Sequence, residues 1–318
     1  MDLISQVVLL GGVIDRKTLI RLRGPRELVR AVRDGTLVRD RRGRYALPSA
    51  QHGVRTASSI AGVLSHRSAA QYWGWAQKAA DGLPEVTVPR NRRVDRALRR
   101  TLIPHWSDLP DDAVVKGVVT SPLRTLVDCM RNLPIDEATS IVDSALRAGD
   151  ITEAELLELA RGTRGRGRAR IIAVAERATG KAANVFESVL RAQADLVPGL
   201  NVVAQLPIRI SKRLLLHPDL VDVENKIIIE AEGFEWHGKS AQLTRDCRRY
   251  NTFTLLGWQV IRVSWAMVMF NAAYVQRVLR AAVELGRSRR HQHANVHAGA
   301  RERFSHHASD IRMFVGAV

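Results

Sequence analysis

Residues 218–238 read PDLVDVENKIIIEAEGFEWHG. They are followed by SAQLTRDCRRYNTFTLLG over 240–257 and by WQVIRVSW over 258–265. Asp219 opens one apolar run, and Glu230 and Glu232 end the next. Ile227-Ile228-Ile229 is too apolar for a surface strand and reads as a buried one. In a strand, residues i and i+2 share a face, so Glu230 and Glu232 project together, within reach of Asp219 if the two strands pair as a hairpin. Three carboxylates at one end of a small sheet make an oxygen-rich site for a hard divalent cation, Mg²⁺ or Mn²⁺. Gly233 allows a tight turn directly afterwards, and Phe234, Trp236 and His237 follow. Asp222 and Glu224 read as ordinary solvated residues near a strand end. In a chain of formal charge +17, the acidic group points toward phosphodiester chemistry.

The flanking sequence reads as αβββαβα. Val185, Val189, Leu190 and Leu196 give a helical period over 184–196. Residues 202–210, 214–223 and 226–232 are strand-like. Residues 240–256 read as a helix with Leu243, Cys247 and Tyr250 on one side and Arg245, Arg248 and Arg249 on another. A fourth strand over 258–264 and a closing helix over 266–285 complete a small α/β sandwich on a mixed four-stranded sheet.

The segment resembles the very-short-patch-repair (Vsr-like) branch of the PD-(D/E)XK nucleases, and within it domain-of-unknown-function family 559. The resemblance rests on Pro218-Asp219, Glu230-Ala231-Glu232-Gly233, Phe234 to His237, Arg245-Asp246, Leu256 to Val260, and upstream Phe186 to Arg191. It spans roughly residues 183–285. It implies a restriction-endonuclease-like fold in which Asp219 and Glu230 ligate Mg²⁺ or Mn²⁺. Where most of the superfamily has a Lys, this chain has Glu232, a further ligand or proton acceptor. Glu187 would reach the metal through water or orient Asp219. His237 is the nearby acid/base candidate, and Arg245 a phosphate contact.

The first fifty residues carry eleven Lys or Arg against five Asp or Glu. Leu3 to Leu10 reads as a first helix. Asp15 caps a second, and Arg26 to Arg33 forms a third with Leu28, Val29 and Val32 inward. Gly35 to Arg39 and Arg44 to Pro48 alternate as short strands around Asp40-Arg41-Arg42-Gly43. Three helices and a basic hairpin make a winged helix-turn-helix over 1–54. Arg26, Arg30 and Arg33 would lie in the major groove, with Arg39, Arg41, Arg42 and Arg44 on phosphate. The pattern G-x-L-x-R-x-x-R-G-x-Y-x-L resembles the start of AbiEi-type antitoxins.

Residues 55–182 resemble the middle of AbiEi-like proteins that end in a Vsr-like domain. They read as a mostly helical region without a catalytic site. His66 and Ser68 lack any nucleophile-elbow pattern. The run RGTRGRGRAR over 161–170 reads as a flexible basic linker or a phosphate-tracking segment, at a domain boundary. Residues 287–318 hold five of the ten histidines and read as a disordered tail.

The whole chain is therefore expected to be an α+β multidomain protein. A pI near 11.0 favours polyanionic partners, here DNA. Cys129 and Cys247 are too few and too far apart for a Cys-based zinc site. With no long apolar run and no signal peptide, a cytoplasmic, non-membrane protein is expected. A homodimer or a toxin partner stays open. Two functions follow: a metal-dependent DNA endonuclease, or a non-catalytic DNA-binding regulator on a degenerate nuclease fold.

Overall fold

Asp2 and Asp15 each cap a helix with a side-chain oxygen, Asp15 accepting the Thr18 N–H at 2.9 Å. They begin α1 (Leu3–Leu9) and, after β1 (Val13–Asp15), α2 (Arg16–Arg23). The structure is a computed structural model. It describes residues 2–79, 82–211, 214–232 and 240–299, without the side chains of 240–243 and 292–299.

Gly24 and Pro25 turn the chain into α3 (Pro25–Arg33), and β2 (Val38–Arg41) and β3 (Arg44–Ala46) form a hairpin. The three strands lie in the order β1-β3-β2, all antiparallel. Leu3, Val7, Ile14, Leu19, Leu28, Ala31 and Leu37 close a core beneath them. The inward stripe of α3 is therefore Leu28 and Ala31, three apart. Val29 and Val32, expected inside, are exposed, because the entry through Gly24-Pro25 rotates the helix to seat Leu28.

Next come α4 (His52–Ser59), β4 (Val63–Leu64), α5 (His66–Tyr72), β5 (Glu85–Val88), β6 (Ile103–Trp106), β7 (Val114–Val115) and β8 (Val119–Thr120). These strands make a mixed sheet in the order β6-β5-β4-β8-β7. The expectation of a mostly helical middle missed this sheet. Strands of two to four residues are too short to show a period of two.

The helices α6 (Pro122–Asn132), α7 (Ile135–Ala148), α8 (Glu153–Gly162) and α9 (Arg168–Arg177) share a core of Leu126, Met130, Ile141, Leu156, Ile171 and Val174. The run at 161–170 is thus neither linker nor boundary. It ends α8, turns at Gly165 and Gly167 with φ of +83° and +81°, and starts α9. A Cβ at Gly167 would stand 3.0 Å from Arg131 Cγ, so glycine fits both the φ and the space.

The chain divides into two compact units, Met1–Val185 and Phe186 onward. The second holds α10 (Val185–Ala194) from its second residue on, β9 (Val203–Ala204), β10 (Ile208–Arg209), β11 (Leu215–Leu216), β12 (Leu220–Asp222), β13 (Ile227–Glu232), α11 (Ser240–Leu255), β14 (Gln259–Ser264), α12 (Trp265–Phe270) and α13 (Ala272–Gly299). Its mixed four-stranded sheet runs β14-β13-β12-β9. β12 and β13 form the expected antiparallel hairpin, and α11 is the crossover that makes β13 and β14 parallel. The two long strands expected at 202–210 and 214–223 are each interrupted. Gln205 takes φ +53°, and β10 and β11 pair as a separate ribbon.

Ile227, Ile228 and Ile229 are fully buried, as their apolarity requires. Asp222 is buried as well and is not the solvated residue expected. It accepts N–H bonds from Asn225 and Asn201, each at 2.9 Å, and from the Asn225 amide at 2.7 Å, so it builds the β12–β13 turn. Asp222→Ala would leave buried donors unpaired and is expected to cost about 3 kcal/mol. Urea denaturation measures this; a loss below about 1 kcal/mol would mean that the turn does not depend on the carboxylate.

α13 continues to Gly299, past the expected end of order near 286. Val275, Leu279, Ala282 and Val283 seat its first turns. Farther along, the Arg290 guanidinium donates to Glu224 O and Asn225 Oδ1 at 2.6 and 2.8 Å, which fastens the extension to the same turn. Among the described residues, no helix is long and apolar enough to cross a membrane.

Candidate active site

The β12–β13 register, Leu220 opposite Ile229, sets Asp219 beside the end of β13. Asp219 Oδ2 accepts the Ala231 N–H at 2.7 Å, so its carboxylate lies against the peptide that follows Glu230. Gln205 Nε2 reaches Oδ1 at 3.3 Å. Glu230 and Glu232 leave β13 two residues apart, opposite Arg262 and Ser264 of β14.

Cations hold these acids. Glu230 is 2% exposed, and its Oε2 accepts from the Arg249 guanidinium at 2.8 Å. Its Oε1 is buried and, among the described residues, has no hydrogen-bond partner. Glu232 Oε1 accepts from the Tyr250 hydroxyl at 2.6 Å and from Arg262 Nε at 2.7 Å. The Arg262 guanidinium also lies 4.5 Å from the Tyr250 ring centroid. Burial pushes the Glu230 carboxyl up to about 8; Arg249 opposes the shift, and Asp219 and Glu232 add to it. Burial, with the Glu232 hydrogen bond, pushes the Tyr250 hydroxyl up to about 12.

The inward face of α11 is Asp246, Arg249, Tyr250 and Phe253, spaced three, four and seven apart; Phe253 is fully buried. This corrects the expected grouping, since Cys247 is exposed and Arg249 points at the acids. Arg249, Tyr250 and Arg262 join the site although no motif marks them. The signal was available in their spacing from Phe253 and in a lone Arg within the apolar run of β14. Glu187 stands half-buried in the first turn of α10, and Arg245 is exposed on α11. His237 lies outside the described residues.

Asp219, Glu230 and Glu232 offer oxygen alone, and Glu230 Oε1 is a buried carboxylate oxygen without a donor among the described residues. The three do not, however, bring one ligand atom each within 4.8 Å of the other two, so a hard divalent cation would have to draw them together. An ion there and the Arg249 guanidinium would compete for Glu230.

In the first unit, Arg26, Val29, Arg30 and Arg33 fall on one exposed face of α3, spaced three, four and seven apart. Arg39, Arg41 and Arg42 are exposed on the hairpin. Arg44 is half-buried opposite Asp15 and is the least available of the seven.

No family model matches the chain. Two uncharacterized proteins of Mycobacterium tuberculosis are similar to it: MT2308 of strain CDC 1551 / Oshkosh and Rv2248 of strain ATCC 25618 / H37Rv. Each is 29% identical over 150 residues, which is 46% of this chain and 54% of the relative. The chain thus spans about half the length of the curated relatives it matches. A solved structure, the RV2827C protein from Mycobacterium tuberculosis, aligns over 64% of this chain and 86% of its own, at 15% identity and a TM-score of 0.30.

Proposed function

We propose that the chain is a metal-dependent DNA endonuclease, directed to DNA by an N-terminal winged helix and carrying its active centre on a Vsr-like PD-(D/E)XK fold. The observation that carries this reading is Glu230, a buried carboxylate beside Asp219 with one oxygen left without a donor. Such a group is costly in a folded core and is retained where a cation satisfies it.

Asp219, Glu230 and Glu232 are the residues to hold Mg²⁺ or Mn²⁺, whose chemistry when bound is to polarise the phosphate and supply hydroxide near neutral pH. The Ala231 N–H orients the Asp219 carboxylate. Tyr250 and Arg262 orient Glu232 in the position where the superfamily usually has Lys. Arg245 offers a phosphate contact, and His237 remains the proposed acid/base.

Calorimetry with Mg²⁺ tests the site. Wild type is expected to bind one ion that Asp219→Ala loses, and identical isotherms would remove the assignment. Arg249→Met, which deletes the competing cation, is expected to tighten Mg²⁺ binding by about tenfold. Unchanged affinity would mean that Arg249 and the ion do not share Glu230.

A second reading is a DNA-binding regulator of the antitoxin kind. It is favoured by the arginines already paired with Glu230 and Glu232, which neutralise the acids without a metal. Equal Mg²⁺ binding by wild type and Asp219→Ala would favour it.

A further inference from the structure

His66 begins α5, Glu85 begins β5, and His105 lies on β6, the edge strand beside β5. One ligand atom from each lies within 4.8 Å of the other two. His66 is 3% exposed and Glu85 2%, while the His105 side chain is 27% exposed and opens the group to solvent on one side. His66 also takes φ +50°, a strained conformation for a residue with a side chain, of the kind that persists where function fixes the position.

We infer that these three residues form a site for one Zn²⁺-class ion, with a fourth position open to water on the His105 side. Two imidazoles and a carboxylate without thiolate suit Zn²⁺, Co²⁺ or Ni²⁺ and would not favour Mg²⁺. The inference stands apart from the nuclease reading.

Each ligand already has the outer partner that a metal site needs. Glu85 Oε1 accepts from Arg67 at 2.9 Å, and Arg67 is itself forked onto Glu137 at 2.6 and 2.7 Å. Glu85 Oε2 and His105 Nε2 share a hydrogen bond of 2.6 Å, the place a cation would take. His66 is bracketed at 3.0 Å by the Ser65 hydroxyl and at 3.0 Å by the Asn132 amide. Ser65 keeps a bond from Thr87 at 2.8 Å, and the Asn132 amide keeps the Asp128 carbonyl at 3.0 Å. Either His66 nitrogen can therefore turn to a cation without orphaning its present partner.

The two rings are stacked, with centroids 3.6 Å apart and planes at 17°. Stacked imidazoles direct their in-plane lone pairs side by side, not at one point. Loading thus tilts His105, the exposed ring on the edge strand, toward Glu85. Burial, and then the facing His105, push His66 down to about 3, which keeps it in the neutral, ligating form.

The test uses the full chain with Asp219→Asn and with His291, His293, His297, His306 and His307 replaced by Ala, which removes the tail imidazoles and one carboxylate of the other candidate metal site. After chelator treatment it is dialysed against Zn²⁺ and titrated with Co²⁺. One tightly held equivalent, visible Co²⁺ absorption and a higher Tm with Zn²⁺ are expected. Adding His105→Ala should weaken binding by roughly tenfold or more and abolish the Tm rise. His105 is partly exposed, so this variant is expected to fold, which circular dichroism checks; Glu85→Gln would strand Arg67 and is less informative. Unchanged Zn²⁺ affinity on His105→Ala, or no retained Zn²⁺ in the parent chain, would overturn the site.

Discussion

Asp219→Asn is expected to lower single-turnover DNA cleavage by about a thousandfold while DNA affinity holds or rises. The amide nearly preserves the shape of the carboxylate, and an oxygen remains to accept the Ala231 N–H seen at 2.7 Å. The fold should therefore survive. What is lost is a negative charge that helps to hold the ion, and that same charge repels a bound phosphate. Cleavage time courses and fluorescence anisotropy on the same DNA separate the two effects. Equal cleavage by wild type and variant would exclude Asp219 from the chemistry.

The second large effect is expected at the other end of the chain. Replacing Arg39, Arg41 and Arg42 together by Gln should flatten the slope of log affinity against log salt by roughly one unit per lost phosphate contact. All three are exposed on the β2–β3 hairpin. Arg44 is left in place because it lies half-buried opposite Asp15, where its loss would disturb the strand pair. The neighbouring face of α3, with Val29 set among Arg26, Arg30 and Arg33, is apolar enough for a base edge and basic enough for the backbone. An unchanged slope would make the N-terminal segment a protein-binding module.

The legible parts of this chain were those in which one residue type repeats at a period. Ile227 to Ile229 followed by two acids announced a buried strand ending in charge, and the hairpin, parallel partner and crossover helix around it follow from strand and helix lengths. The five-stranded middle sheet was not legible, because Val63-Leu64 and Val119-Thr120 are strands of two residues defined by their neighbours alone. Asp222 looked like a surface acid because its three donors come from Asn201 and Asn225, residues fixed by the fold and not by a motif.

The candidate site was half legible for a related reason. Glu230 and Glu232 sit on β13, and Asp219 directly precedes β12, so the pairing of these two strands can be anticipated to bring them close. Arg249 and Tyr250 sit on a helix whose inward face is decided by what it covers. Counting apolar residues turned that helix toward Cys247, whereas the buried charge of Glu230 turns it toward Arg249. His66, Glu85 and His105 lie 19 and 20 residues apart on three short elements, and strand pairing unites them: β5 with β6 for Glu85 and His105, and β4 with β5, through the Ser65 N–H on the Glu85 carbonyl, for His66.

Nicking of supercoiled plasmid by the chelator-treated wild-type chain, on addition of Mg²⁺ or Mn²⁺, tests the endonuclease reading most directly. The same titration extends to duplexes with mismatches, nicks and single-stranded ends. Metal-dependent nicks that vanish with Asp219→Asn are the predicted result. No cleavage of any substrate with either ion, together with equal DNA affinity for wild type and Asp219→Asn, would contradict it.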